Sequence, residues 1–369
     1  MFFFGIEHEV AFINYQGKFA DFNCTNFQDF QQIVDALPIY PHDYLELRVG
    51  DAGIKNKRWY IEGFERFDVG GALVDCSPKG IEIRTTIHPT IQGAIDELTT
   101  SFSLLSQVAN NRGFVPILVS FNPYTCKFEP QPPLNDFELQ QLQVYPDEQT
   151  AYIYMVSYGP DLNISLADLP MEKVIDIGQK LTYYSPFIVP FTYSSPFYHG
   201  TLWDGLSVRT FIRTGKRSAT LVFVENQQQL ITSTPSLTKI ARIPAEIGRI
   251  EFKACDSCDD FAIYAGLLAL LKGLILDNTL LERAIIPDAK LHQTSAKQGF
   301  NHEDIFNMAS KLIGAAEEAL INDSDVNFLN PLKQILLSRK TKSHQLIELW
   351  KSMGSIEETL KKTYHSLLT

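Results

Sequence analysis

Charged side chains recur inside segments that otherwise read as apolar strands. GIEHEV carries Glu7 and Glu9, GIEIRTT carries Glu82 and Arg84, and GRIEFKAC carries Glu251 and Lys253. Residues two apart in a strand point to one face, so each pair projects together. In LSVRTFIR, read as a strand, Ser207, Arg209, Phe211 and Arg213 share a face in the same way. Glu, Lys and Arg are costly to bury unless they are paired or ligate a metal. A single antiparallel strand with a charged outer face is ordinary. Four such strands beside Gly or Pro turns imply one shared polar face, with carboxylates for cations and guanidinium groups for phosphate. Mg²⁺ takes oxygen ligands and bridges carboxylates to substrate phosphates. Arg matches phosphate oxygens with a planar fork. An enzyme that activates a carboxylate as an acyl phosphate needs both.

The elements that would carry these groups follow from periodicity. FFFGIEHEVAFI and YIEGFERF read as strands, and GGALVDC and IEIRTTI as two more around a Pro-Gly turn in CSPKG. Ile91, Ile95, Leu98, Phe102, Leu105 and Val108 fall at helical spacing, closed by Gly113. GFVPILVSFNP reads as a strand, and residues 124–150, with four prolines, as a loop holding one short helix. AYIYMVSYGPDLNISL reads as strand, and the following MEKVIDIGQKLTYYSPFIVPFTY as a helix ending near Ser185-Pro186. TLVFVEN is a further strand. The apolar run from Ile263, broken by Lys272, suits a buried helix. From Asn301 onward the pattern is helical, with Leu312, Ala316, Leu320 and Leu336 on packing faces. Strands with interleaved and then C-terminal helices indicate α+β. Neither GxGxxG nor GxxxxGK[ST] occurs, so a dinucleotide fold and a P-loop are not expected.

Composition narrows the class. The 369 residues carry 32 Lys and Arg against 43 Asp and Glu, a formal net charge of −11. That argues against nucleic acid as the partner, which needs clustered basic residues. No apolar stretch approaches the roughly 20 residues of a membrane span, and MFFFGIEHEV does not read as a signal peptide. A cytoplasmic location is expected, with no membrane partner. Five cysteines suit reduced thiols, and the lone Cys255-x-x-Cys258 lacks the second pair or histidines of a zinc site. His8 lies out of phase with Glu7 and Glu9 and should pack on the opposite face. His88 reads as a turn residue, and Trp203 as an anchor or a cover for a ligand.

These segments resemble the glutamate–cysteine ligase family and its carboxylate–amine ligase relatives. GIEHEV looks like the family's opening strand with paired glutamates, and GIEIRTT like its second acidic strand. YSSPFYHGTLWDGLSVR is similar to the SPF–G–GL–R segment, the most specific match. RIEFKACD resembles the glutamate–basic–aspartate strand at Glu251, Lys253 and Asp256. LHQTSAKQGF resembles a short late helix. The matches run in the family's order over residues 5–300. The resemblance implies a glutamine synthetase-like fold: a curved, mainly antiparallel sheet forming a funnel, outer helices and a helical C-terminal region. Residues 1–300 would form the catalytic core and 301–369 a helical extension on it. The implied reaction is ATP-dependent amide formation through an acyl phosphate, joining the γ-carboxylate of glutamate to cysteine, with Mg²⁺ (or Mn²⁺). Glu7, Glu9, Glu82 and Glu251 would hold metal. Asp161 stands where a histidine is usual and would serve as a harder, anionic ligand. Arg209 and Lys253 would be catalytic, although Lys253 replaces an arginine and lacks its fork. Arg213 and Arg217 would bind nucleotide, and Asn163, His199 and Arg84 substrate. Partners would be amino acids and ATP, with homo-oligomerisation left open. The alternatives are a ligase for a different carboxylate and amine, or a ligand-binding relative without turnover.

Overall fold

The computed structural model describes residues 1–41, 43, 58–144 and 152–364. Its strands are β1 (Phe2–Ile13), β2 (Phe19–Ala20), β3 (Trp59–Phe67), β4 (Leu73–Arg84), β5 (Val115–Ile117), β6 (Pro160–Leu166), β7 (Phe197–Tyr198), β8 (Thr201–Leu202), β9 (Thr220–Val224), β10 (Thr238–Ile240) and β11 (Ile250–Phe252). Nine of them form one curled sheet in the order β10-β9-β11-β6-β1-β4-β3, with β2 and β5 paired to the far end of β1. Every pairing in it is antiparallel except β10 with β9. β7 and β8 make a separate hairpin.

The described helices are α1 (Phe27–Asp35), α2 (Ile91–Asn111), α3 (Asp136–Val144), α4 (Ile153–Val156), α5 (Met171–Ile188), α6 (Val208–Arg213), α7 (Phe261–Leu276), α8 (Ala289–Gln298), α9 (Glu303–Ala319), α10 (Asn330–Ser338), α11 (Lys342–Met353) and α12 (Ile356–Leu360). Strand alternation divides the sheet into two faces. Ile6, Val10, Ile81, Ile83, Leu162, Ile164, Val222, Ile250 and Phe252 point to one side and pack with α2, α5 and α7 into a single core. Burying each such side chain is worth about 1.5–3 kcal/mol, so this face fixes the register and with it the charges on the other. α7 is apolar nearly all round because it is buried nearly all round. Its Lys272 reaches Asp323 and Asp325 at 2.5 and 2.6 Å. Among the described residues no helix is long and apolar enough to cross a membrane. Leu312, Ala316, Leu320 and Leu336, from the C-terminal helical region, join the same core.

The α+β expectation with a curved, mainly antiparallel sheet and outer helices holds. Several local expectations do not. LSVRTFIR is not a strand: Ser207 caps α6 by accepting from the Thr210 amide, and the next six residues are helical. Arg209 and Arg213 still share a face, because positions four apart align on a helix as positions two apart do on a strand. CSPKG is not a turn but the middle of β4. The reversal lies at Asp68–Ala72, where the Asp68 carboxylate accepts from the Gly70 and Ala72 amides. A register shift in the β3–β4 ladder beside Gly63 accommodates Pro78, which has no amide to donate. YIYMV folds as the short α4, and GFVPILVSFNP keeps only three strand residues, in β5. α5 runs past Ser185-Pro186 to Ile188. The short helix expected in 124–150 is α3; residues 145–150, with Pro146, lie outside the described residues.

Candidate active site

The polar face is built by register. Glu9 on β1 lies opposite Glu82 on β4, which lies opposite Tyr60 on β3; Glu7 lies opposite Arg84 on one side and Asp161 on β6 on the other; Asn163 lies opposite Glu251 on β11. Directly opposed residues share a face, so side chains from five strands stand over one floor. A cavity of about 860 Å³ opens above Glu7, Glu9, Glu62, Glu82, Asp161 and Lys253. A smaller one of about 240 Å³ lies over Gly5, Asn163, Phe223, Arg249 and Glu251, and the two share Glu7, Arg84, Asp161, Lys239, Arg242 and Lys253.

In the larger cavity Glu9, Glu62 and Glu82 each offer a carboxylate oxygen, all within 4.8 Å of one another. Oxygen ligands at about 2.0–2.6 Å from a hard cation span such separations, so the three fit one divalent ion. Three neighbours aim two of them. Lys79, almost wholly buried, donates to Glu9 Oε1 (2.8 Å) and to the carbonyls of Tyr154 (2.7 Å) and Ser157 (2.8 Å). Gly159 N donates to the other Glu9 oxygen at 2.8 Å. Arg84 Nε donates to Glu82 Oε1 at 2.6 Å while its guanidinium lies over the Tyr60 ring. Burial pushes the Glu82 carboxyl up to about 8 against the pull of Arg84, with Glu62 adding both its charge and a hydrogen bond. Burial there favours the protonated carboxyl.

Towards β6 and β11 the carboxylates are spaced by cations. Lys253 Nζ donates to Asp161 Oδ2 at 3.1 Å and to Glu251 Oε1. Arg249 lies 3.6 Å from Glu7, 3.4 Å from Glu251 and 3.5 Å from Glu246, with its guanidinium over Phe223. Burial pushes Glu251 up, but Lys253 and Arg249 override it and hold the group down at about 2. Glu7 is pushed up to about 7, by burial and then by Glu82. Asp161 is raised by burial while Lys253 pulls the other way.

Opposite the carboxylates, α6 presents arginines. Arg209 Nη1 and Nη2 donate to the carbonyls of Ala254 (2.9 Å) and Lys253 (3.1 Å), and its buried Nε has no partner. Arg213 Nη1 donates to Ser218 O at 2.9 Å. Both guanidinium groups are buried, line the cavity, and make no ion pair with a carboxylate among the described residues. Burial, then Arg209 and Arg217, pushes Arg213 well below its usual range. Arg217 lines the same cavity. Buried guanidinium groups in a cavity, without a carboxylate in ion-pair contact, suit an anion.

The segment most specific in sequence turns out to hold α6 in place. Asp256 accepts from Ser194 N (3.0 Å), Ser195 Oγ (2.7 Å) and Ser207 Oγ (2.9 Å), tying the SPF turn and the α6 cap to the end of β11. Gly159 leaves room for Arg209; a Cβ there would lie 2.2 Å from Nη2. Trp203 packs on Phe211 and is an anchor. His199 is not at the cavity. It is exposed, with φ +51, in the two-residue turn between β7 and β8 with Gly200 at φ +77, as a type I′ hairpin turn requires. His8 faces away from the carboxylates, bonded to the Tyr264 and Tyr364 hydroxyls at 3.0 and 3.1 Å. Burial pushes the Cys255 thiol up to about 12, as an inert thiol.

The structure thus brings Glu7, Glu9, Glu82, Arg84, Asp161, Asn163, Arg209, Arg213, Arg217, Glu251 and Lys253 to the two joined cavities. Sequence reasoning missed Glu62, Lys79 and Arg249. Glu62 had the same signal as the others, a carboxylate two residues from Tyr60 in a strand and next to a glycine. Lys79 was hidden by reading CSPKG as a turn, whereas Arg249, two residues before Glu251 in GRIEFKAC, carried the same signal as Glu62.

No family model matches the sequence, and no curated protein matches it. Among solved structures, the crystal structure of a bifunctional glutathione synthetase from Pasteurella multocida superposes with a TM-score of 0.59 at 10% identity, over 100% of this chain and 52% of that one. The complex between the prokaryotic ubiquitin-like protein Pup and its ligase PafA gives 0.49 at 11% identity, over 98% and 67%. A novel glutamine synthase homolog gives 0.42 at 12% identity, over 99% and 70%. The chain spans about half the length of the first of these, and what it shares with that bifunctional glutathione synthetase is the fold.

Proposed function

We propose that the protein is an ATP-dependent carboxylate–amine ligase. The observation that carries this reading is the pairing, across one cavity, of three converging carboxylates with two buried guanidinium groups that lack a carboxylate partner. Glu9, Glu62 and Glu82 would hold a Mg²⁺ or Mn²⁺ ion, which would supply positive charge to offset that of phosphate. Arg209 meets charge developing on the transferred phosphoryl group, and Arg213 and Arg217 hold the nucleotide phosphates. Transfer of the γ-phosphoryl group to a substrate carboxylate gives an acyl phosphate and ADP. A free amine attacks its carbonyl carbon, loses a proton and expels phosphate. The chain's own work is positioning and charge stabilisation, with no protein nucleophile.

Glutamate and cysteine are the first substrates to try, on the resemblance and on the fold shared with a glutathione synthetase. Residues 1–300 act as the catalytic core and 301–369 as a helical extension on it. The test is ADP release with Mg²⁺, glutamate and cysteine, then with other carboxylate and amine pairs. ADP and a new amide in equal amounts are expected from one pair. Absence of ADP from every pair, with folded and metal-replete protein, overturns the reading. The second reading, a ligand-binding relative without turnover, is favoured by the lysine and arginine lodged among Glu7, Asp161 and Glu251; it predicts nucleotide binding without ADP.

A further inference from the structure

The resemblance puts metal at Glu7, Asp161 and Glu251 as well as at Glu9 and Glu82. The two groups are not built alike. Among the described residues, only Glu9, Glu62 and Glu82 bring three metal-ligating atoms within reach of one ion. Between Asp161 and Glu251 stands the Lys253 ammonium, 3.1 Å from one and bonded to the other. Between Glu7 and Glu251 stands the Arg249 guanidinium, at 3.6 and 3.4 Å. Each cation is seated by more than charge. The Lys253 carbonyl accepts from Arg209, which fixes the backbone below the ammonium. Arg249 is stacked at 4.0 Å over the Phe223 ring.

We propose that Lys253 and Arg249 are built-in counter-cations that take the place of a metal ion among Glu7, Asp161 and Glu251, so that this half of the polar face meets an anionic substrate with N–H donors. The chemistry is consistent with the donors at hand. Lys253 has three N–H groups, of which the two carboxylates use two. Arg249 Nε is buried and has no partner. The Lys253 ammonium is held by both Asp161 and Glu251. A divalent ion entering the group would have to expel that ammonium and then sit beside the guanidinium. The inference takes from the ligase reading only the expectation of metal at these residues.

The test counts bound Mn²⁺ per chain by loss of the free-ion electron paramagnetic resonance signal, without nucleotide or turnover. The wild type should bind one ion, and Glu251→Gln should leave that count unchanged. Lys253→Met should gain one ion, and Lys253→Met combined with Glu251→Gln should lose it again. A wild-type count that drops by one in Glu251→Gln overturns the inference. So does the absence of a gain in both Lys253→Met and the Lys253→Met/Arg249→Met pair, each checked for a cooperative melting transition. A wild-type count of zero with a gain in Lys253→Met keeps the inference and removes the metal half of the ligase reading, so the two fail separately.

Discussion

The two halves of the polar face use the same residue types in opposite arrangements. On the β3–β4 side Glu9, Glu62 and Glu82 bring ligand oxygens within 4.8 Å of one another, while Lys79 pairs with Glu9 and Arg84 lies 2.6 Å from Glu82 and 3.7 Å from Glu62. On the β6–β11 side the cations are at the centre and the carboxylates of Glu7, Asp161 and Glu251 surround them. The first arrangement leaves a gap that a proton or a metal can fill. The second is already filled. Acidic residues on adjacent strands are therefore insufficient to define a metal site; what lies between them decides.

The largest effect that would sharpen this contrast is at the open centre. Glu82→Gln or Glu62→Gln should lower Mn²⁺ affinity more than about 100-fold, beyond the 10–100-fold typical of outer-layer partners of a metal. Turnover in the ADP assay should fall with it. Glu251→Gln should change affinity at that centre less than about threefold. Equal losses in Glu82→Gln and Glu251→Gln would break the contrast.

Next is Arg209. Arg209→Lys keeps the charge but loses the fork that lets one guanidinium hold two backbone carbonyls and still face the cavity. The rate of ADP formation should drop about 10²–10³-fold, the scale for removing one stabilising donor, with Mn²⁺ affinity unchanged within about twofold. A parallel loss of metal binding would show that α6 and the carboxylates are one unit and not two.

The pH dependence should have opposite signs at Glu82 and at Glu251. Glu82 has a folded-state value of about 8, above the ordinary 4.5. Its contribution to the stability of metal-free protein is full below about 4.5 and is lost as pH rises through 8. Glu251, held at about 2, contributes in full above 4.5 and loses it as pH falls toward 2. Each pKa unit corresponds to about 1.4 kcal/mol, so each limb is on the order of a few kcal/mol. In denaturant titrations of metal-free protein, Glu82→Gln should flatten the alkaline limb and Glu251→Gln the acid limb. Mn²⁺ binding should release a proton and tighten from pH 6 to 8, levelling above that.

Both halves were partly legible in the sequence. Glu7, Glu9, Glu82, Arg84 and Glu251 were found because strand alternation is a local rule, and the core face enforces it. Arg209 and Arg213 were found for the wrong local reason: α6 is a short helix set by the Ser207 cap and by Asp256, a contact 49 residues away in the chain. Glu62 carried the same strand signal and was overlooked, whereas Lys79 depends on the β3–β4 register and its shift at Gly63, which no local pattern reports. The difference between an open and a filled carboxylate group was illegible altogether. It rests on where the Lys253 and Arg249 side chains come to lie, which only the assembled sheet determines.

The smallest effect on the site is expected from the reverse face, and it tests whether the contrast is confined to the polar side. His8 stands between Glu7 and Glu9 but points into the core, where burial holds it neutral with a value of about 3. Its two ring nitrogens bond the hydroxyls of Tyr264 on α7 and Tyr364 beyond α12. His8→Phe keeps the ring packing against Phe102 and Phe261 and removes both bonds. Tyr264 would retain its bond from the Cys258 amide, whereas Tyr364 would lose its bond to β1. Leaving a buried hydroxyl unpaired costs about 1–3 kcal/mol, so the midpoint of urea unfolding should fall accordingly. Because a His with a depressed value contributes stability above pH 6.5 that is lost as pH falls towards 3, the difference between His8→Phe and wild type should shrink on acidification. Mn²⁺ affinity should stay within about twofold. If it falls as far as in Glu82→Gln, the carboxylates of β1 are set by the C-terminal helices through His8 and not by the strand register alone.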